Sequence, residues 1–403
     1  MHPAAPPSFA YLLAVLLLGQ ALGTTSTSIL PAVAPKVIAT YGVNAALIGY
    51  QVSLISLSML LSLVFGGNLA VRWGGCRITQ LGLMLCLVGC VIAALPHQGF
   101  LQLSAVPMGL GYGLVSPATS QVLARFTPPG RRNFMFSLKQ SGVPLGGVLA
   151  AGIAPAVAVW VGWQWAMLGN AAGLAALLLL MQRGRPYWDD DRNPAARWIS
   201  DPYGGLSVVW KSQPLRLLGI AGGAFVIMQL ALLTFTVIFF AEEMNFGLVQ
   251  AGIVLMASQI GGVAGRLFWG WVADVLGDCF KALTLLGAVM SLTTRLCVTI
   301  SPAWPMIASC ALFFVLGATA SGWNGAFLAE VARLSPAHAV SAATGGSLFL
   351  VNIGKFIGPL AFTLVYQAVG SYAMTFTLMA IPAAFGSLCV WAARRARPAV
   401  IAV

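Results

Sequence analysis

The sequence predicts an all-α membrane protein with twelve transmembrane helices arranged as two six-helix halves. Three observations carry that expectation. Of the 403 residues, 59% are hydrophobic and only 7% are charged, whereas a soluble domain needs roughly a quarter of its residues charged to cover its surface. The mean hydropathy of +0.90 is concentrated in separate apolar runs, many long enough to cross a bilayer at about 20 residues each. The runs are uniformly apolar and lack the alternation of a barrel strand, which leaves the helix as the element that satisfies its own backbone in lipid.

The first run, 9–33, follows a start (Met1 to Ala10) with no Lys or Arg. A cleaved signal peptide has a basic beginning, so this run is expected to stay as the first span. It carries Gln20, Thr24 and Ser28 four residues apart, on one helical face. Runs 45–70 and 78–95 flank the segment Gly67-Asn-Leu-Ala-Val71-Arg72-Trp-Gly74. The fourth, 100–124, contains Gly109, Gly111, Tyr112 and Gly113. The fifth, 133–159, contains Gly142-Val-Pro144-Leu-Gly146-Gly147, and the sixth, 164–182, closes a first half at residues 1–182. Residues 183–216 form the one long polar stretch, with Asp189, Asp190, Asp191 and several Arg, and read as a cytoplasmic linker. The second half, 217–403, contains runs 217–241, 248–272, 282–300, 304–329, 338–366 and 371–393. Gln229 in the seventh run sits roughly where Gln20 sits in the first. Gly270-Trp-Val-Ala-Asp274-Val-Leu-Gly277 copies the segment after the second run, and Gly354-Lys355-Phe-Ile-Gly358-Pro359 echoes the fifth. Three matches in one order mark the parallel repeat that some transporters are built from.

The net charge of +12 does not point to nucleic acid, because its placement encodes orientation. With the N-terminus inside, the cytoplasmic segments hold Arg72, Arg77, Arg125, Arg131, Arg132, Arg183, Arg185, Arg192, Arg197, Lys211, Arg216, Lys281, Arg333, Arg394, Arg395 and Arg397. The outer loops hold Lys36 alone, sixteen against one. The bias places both termini in the cytoplasm and the chain in the inner membrane. Seven cysteines, without metal-ligand spacing, read as small packing residues and not as a disulfide framework. No metal, cofactor or enzyme motif (HExxH, a Ser–His pair, a phosphate loop) is present, which argues against a membrane enzyme. Lipid is the expected surroundings and a monomer the expected state.

The Gly270/Asp274/Gly277 segment, followed by Lys281, resembles the loop signature G-x-L-x-D-[RK]-x-G-[RK]-[RK] of the major facilitator superfamily. The first copy departs from it, with Val71 at the acidic position and Gly75 at a basic one. The Gly142/Pro144/Gly146 run is similar to that family's helix-5 motif, while Ala105 stands where its helix-4 arginine is common. The resemblance implies an alternating-access carrier with spans 1, 4, 7 and 10 around a central cavity. In this reading Asp274, Gly270, Gly277, Gly142 and Pro144 belong to the gates. Physically, a carboxylate at Asp274 can accept from free N–H groups at a neighbouring helix N-terminus, and Val71 cannot, so the two latches are expected to be unequal.

Four cations fall inside spans: Lys139, Arg266, Arg295 and Lys355. The acids and the three His (His2, His97, His338) lie at or beyond span ends. An ionisable group near the bilayer centre costs about 2.5–3.5 kcal/mol on insertion scales and is functional by default. A cavity with cations and no acids is expected to attract an anion. Arg266, four residues before Gly270, resembles the helix-8 arginine that meets the substrate carboxylate in monocarboxylate porters and the oxalate:formate antiporter, with Gly262 where monocarboxylate porters carry an acid; Lys355 resembles the second cation of the oxalate carrier's site. Lys139 is read as snorkelling to the interface, and Arg295 as pairing with an outer acid or a headgroup. Gln20, Thr24, Gln229, Tyr112, Trp323, Asn324 and Asn352 complete the expected substrate site, interhelical hydrogen bonding being the alternative for each. The expected substrate is a small organic anion, a carboxylate, moved by proton-linked symport or exchange. An exporter of amphipathic compounds and a non-transporting sensor remain alternatives.

Overall fold

The computed structural model describes residues 8–128, 132–195, 202–336 and 339–396. Arg131, Arg197, Arg397, Asp201, His2 and His338 lie outside the described residues, as does the start of the chain before Ser8. Among the described residues the regular elements are all helical, and the chain divides into two compact units, 1–200 and 201–403. The first contains α1 (Phe9–Ala32), α2 (Ala34–Tyr41), α3 (Ala46–Trp73), α4 (Gly75–Ala93), α5 (Gly99–Phe126), α6 (Arg132–Gln140), α7 (Gly142–Trp160) and α8 (Trp163–Trp188). The second contains α9 (Pro202–Lys211), α10 (Gln213–Glu242), α11 (Leu248–Leu276), α12 (Cys279–Arg295), α13 (Met306–Ala320), α14 (Trp323–Leu334), α15 (Val340–Val369), α16 (Tyr372–Leu378) and α17 (Ala380–Arg395).

Among the described residues ten helical segments are long and apolar enough to cross a membrane, and the bent pair α2–α3 passes the same test as an eleventh. The 28 residues of α5 extend about 42 Å at 1.5 Å per residue, which completes twelve spans. The fifth span is α6 with α7, the tenth α13 with α14, and the twelfth α16 with α17. Each pair is interrupted at a helix-ending residue, Ser141, Ser321–Gly322 and Met379 respectively. Helix enters the polar stretch at 183–216: α8 continues to Trp188, and α9 occupies Pro202–Lys211.

The repeat seen in sequence recurs as packing within each unit. In the first, α1 packs on α7, α3 on α5, and α4 on α8; in the second, α10 packs on α15, α11 on α13, and α12 on α17. Glycine makes these approaches possible. A Cβ at Gly146 would overlap the Ala21 carbonyl of α1, and one at Gly354 the Gly223 carbonyl of α10. Gly261 and Gly265, four apart on α11, lie against the Phe314 and Ala318 carbonyls of α13. This is the small-residue seam by which membrane helices come close without a hydrophobic driving force. At the other end of α10, Glu243 accepts from the free backbone N–H groups of Tyr372 and Ala373 (3.1 Å for the latter), which fastens α10 to the start of α16.

Candidate substrate and gating sites

The close contact of α11 with α13 brings Arg266 to the break in the tenth span. Its Nε donates to the Ser321 carbonyl at 3.4 Å, and Asn324 Nδ2 donates to the same oxygen at 3.2 Å. A residue at a helix break has a carbonyl freed from the helical ladder, so Ser321 offers an acceptor to both side chains. Two of the expected site residues therefore meet here, Arg266 and Asn324, and Trp323 adjoins Asn324 in sequence. Trp323 is 1% exposed, gives its indole N–H to the Ala320 carbonyl at 2.9 Å, and packs on Phe327 and Phe225.

Lys355 lies near the midpoint of the 30-residue α15, half-buried. Among the described residues it has no hydrogen-bond or ion-pair partner. Asn352, three residues earlier and on the same face, turns its Nδ2 to the Leu348 carbonyl of its own helix at 2.7 Å. Gln229 on α10 is half-buried. The helices carrying Arg266 and Lys355 both pack on α10 and α14.

In the first unit Gln20, Thr24 and Tyr112 come together. Tyr112 Oη takes a hydrogen bond from Gln20 Nε2 at 3.1 Å and lies 2.9 Å from Thr24 Oγ1. Gly142 and Gly146 set this up by seating α7 directly on α1, with a Cβ at Gly142 pressing on Gln20 and the Leu17 carbonyl. Pro144, between Gly142 and Gly146 in sequence, is buried. Lys139 corrects the sequence reading. It does not snorkel: it is 1% exposed, and its Nζ donates to Ser120 Oγ at 2.8 Å and the Ser116 carbonyl at 3.3 Å. Arg295 stands exposed at the end of α12, and no acid among the described residues pairs with it.

Unequal signature segments are expected from Val71, but the acids that bond the helix ends are not the ones that sequence reasoning named. Asp274 is exposed beside a cleft of about 570 Å3 lined by Gly270, Gly277, Asp278, Glu330 and Arg333. Gly277 ends α11 at φ 59°, the left-handed cap conformation that favours glycine. Within this unit the helix-end bonds are made four residues on: Asp278 caps α12, accepting from Phe280 N–H at 3.0 Å and Lys281 N–H at 3.4 Å, and pairs with Arg394 of α17 at 2.9 Å. In the first unit the matching residue is Gly75, where a Cβ would run into Val122. The acid instead arrives from the end of α8. Asp189 accepts from the N–H groups of Cys76 (2.7 Å) and Arg77 (3.0 Å) at the start of α4. Its neighbours Asp190 and Asp191 pair with Arg125 at the end of α5. Gly74, at φ 98°, leaves room for the Asp189 carboxyl. Burial pushes the Asp189 carboxyl above the usual carboxylate range, against the pull of the two N–H groups and Arg185. At Asp278 burial also pushes upward, but Arg394 and the cap N–H groups outweigh it and hold the carboxyl below that range. The signal that could have found this cap was the Asp189–Asp191 trio itself, the only acids in the first 200 residues.

Comparison with known proteins matches residues 16–345 to the profile described as Major Facilitator Superfamily. A Bacillus subtilis protein named for metabolite transport is 25% identical over 369 residues, covering 82% of this chain and 79% of that protein. The sodium-dependent phosphate transport protein 1 of Arabidopsis thaliana chloroplasts is 26% identical, over 59% of this chain but only 49% of its own length. Among solved structures, a crystal structure of peptide transporter POT in complex with sulfate superposes with a TM-score of 0.78 at 16% identity. It covers 98% of this chain and 97% of that one; at that identity the likeness speaks for the fold alone.

Proposed function

The chain belongs to the Major Facilitator Superfamily and is a multi-pass membrane transporter, and from that premise we propose that it carries small organic anions, carboxylates in particular. The observation that carries the reading is Lys355: a cation near the middle of a span, half-buried, with no partner among the described residues. A lysine placed there at a cost of about 2.5–3.5 kcal/mol is accounted for when a substrate carboxylate supplies the counter-charge. Arg266, aimed by the Ser321 carbonyl, adds a planar fork suited to a carboxylate. Gln20, Thr24, Tyr112, Gln229, Asn324 and Asn352 serve as neutral donors and acceptors for the rest of the substrate. The Arabidopsis relative, named for phosphate, is consistent with an anionic cargo.

Transport proceeds by alternating access as proton-linked symport or anion exchange, with the substrate's own proton or a counter-anion in place of a mid-membrane acid. Asp274, Gly270, Gly277, Gly142 and Pro144 belong to the gates. The termini and residues 183–216 are cytoplasmic and the chain resides in the inner membrane, because basic residues concentrate on that side. The test is flux into sealed proteoliposomes, with organic acids selected by a thermal-shift screen and neutral and cationic amphiphiles run beside them. Uptake of an organic acid that Lys355→Gln abolishes is the expected result. Transport of cationic or neutral amphiphiles with no acid recognised would move the reading to an exporter.

A further inference from the structure

The first unit holds a cation that the reading above does not use. Lys139 sits at the end of α6, just before the break at Ser141, and is 1% exposed. Its ammonium meets the Ser120 hydroxyl at 2.8 Å and the Ser116 carbonyl at 3.3 Å, both neutral. The first 200 residues contain three acids, Asp189, Asp190 and Asp191, and all three are engaged elsewhere. Asp189 holds the start of α4, and Asp190 and Asp191 hold Arg125. No carboxylate in this half is left to neutralise Lys139. A buried ammonium without a counter-charge costs several kcal/mol, whereas a neutral side chain would tie α6 to α5 without that cost. An ammonium has three donors, and the two serine contacts use two of them.

The position points the same way. Tyr112, Ser116 and Ser120 follow one another at four-residue spacing and so share one face of α5. Tyr112 at one end of that stripe holds Gln20 and Thr24, and Lys139 is held at the other end. All three stripe residues are half-buried, so the stripe is not sealed inside the bundle.

We propose that Lys139 is a second anion-binding residue, which with Ser120 holds a carboxylate or phosphate oxyanion within the N-terminal half. The ligand class rests on the anion-carrier reading; the site itself rests on the unneutralised lysine. The ligand is a soluble oxyanion and not a lipid headgroup, since the Lys139 ammonium is buried against the serines of α5.

The experiment measures binding of succinate and of inorganic phosphate to the purified full-length chain in detergent by thermal shift and calorimetry. The proteins are wild type, Arg266→Gln/Lys355→Gln, Lys139→Gln, Lys139→Arg and the triple variant, each checked by chromatography. We expect Lys139→Gln to weaken succinate or phosphate binding by about tenfold or more, the scale of losing a buried charge partner, and Lys139→Arg to retain most of it. Arg266→Gln/Lys355→Gln should keep a weak residual shift that the triple variant loses. If Lys139→Gln does not fold, Ser120→Ala takes its place, with an expected loss of about threefold or more. Lys139→Gln, or Ser120→Ala in its stead, binding both anions as wild type does overturns the proposal. So does a shift by phosphatidylglycerol alone, with none from either soluble anion. Unchanged binding in Arg266→Gln/Lys355→Gln beside a loss in Lys139→Gln would instead sink the earlier reading and leave this one standing.

Discussion

A Cβ at Gly265 would overlap the Ala318 carbonyl, while one at Gly270, five residues later on the same helix, meets nothing within 4 Å. Gly265→Ala is therefore expected to cost about 1–3 kcal/mol by forcing α11 away from α13, and to displace Arg266 from Ser321. Gly270→Ala should stay within about 0.5 kcal/mol. Thermal midpoints of the two variants in one detergent check the contrast, and equal midpoints would contradict it. Arg266→Lys should bind substrate less well than wild type because a point charge cannot reproduce the fork. At this scale the sequence was half legible. The cations within spans could be picked out one by one, but their partners could not. Arg266 and Asn324 converge on a backbone oxygen at Ser321, which a reading of side chains has no means of finding. Lys139 looked like a snorkelling residue from its place near a span end. Its serine partners are on α5, about twenty residues away in sequence, and only the fold reveals that they enclose it.

The caps of α4 and α12 are equivalent elements built from different parts, and they respond differently to pH. Asp278 is held below the ordinary carboxylate range. Its stabilisation is present above the unfolded value, about 3.9, and is lost only as pH falls through the lower folded value. Asp189 is pushed above that range by burial. The folded state then binds its proton more tightly than the unfolded chain, so this group adds stability as pH falls through its folded value toward about 4. Between pH 7 and 4.5 the midpoint difference between wild type and Asp278→Asn should stay flat. The difference between wild type and Asp189→Asn should grow in favour of wild type as pH falls. Parallel behaviour of the two variants would contradict this assignment of the caps. A third variant, Asp274→Asn, is expected to slow transport while leaving both caps and the folded yield unchanged; unaltered flux would remove Asp274 from the gate. The sequence displayed the repeat of the two signature segments, including the missing acid at Val71. It did not display the replacement, because Asp189 reaches α4 only once α8 has packed on it, and in sequence the trio reads as linker charge.

Over the whole chain, the twelve apolar runs correspond to the observed spans, since hydropathy is dictated by the bilayer and needs no knowledge of tertiary structure. The interruptions at Ser141, Ser321–Gly322 and Met379 were not legible, because an apolar run looks the same whether its helix is continuous or broken. The helix over Pro202–Lys211 was missed as well, hidden by the polar residues around it. For orientation, single cysteines at Ala195 and at Lys36, both exposed, should differ in intact cells. An impermeant thiol reagent is expected to label Lys36→Cys and spare Ala195→Cys until the membrane is opened, and the reverse pattern would invert the topology. The central claim is that an anionic substrate completes the charge of Lys355, and its most direct measurement is the affinity of Lys355→Gln, relative to wild type, for an organic acid that the wild-type protein binds. The account predicts a loss of about 2–5 kcal/mol for a desolvated, hydrogen-bonded contact, largely restored in Lys355→Arg. A well-folded Lys355→Gln that binds the acid as tightly as wild type would contradict it.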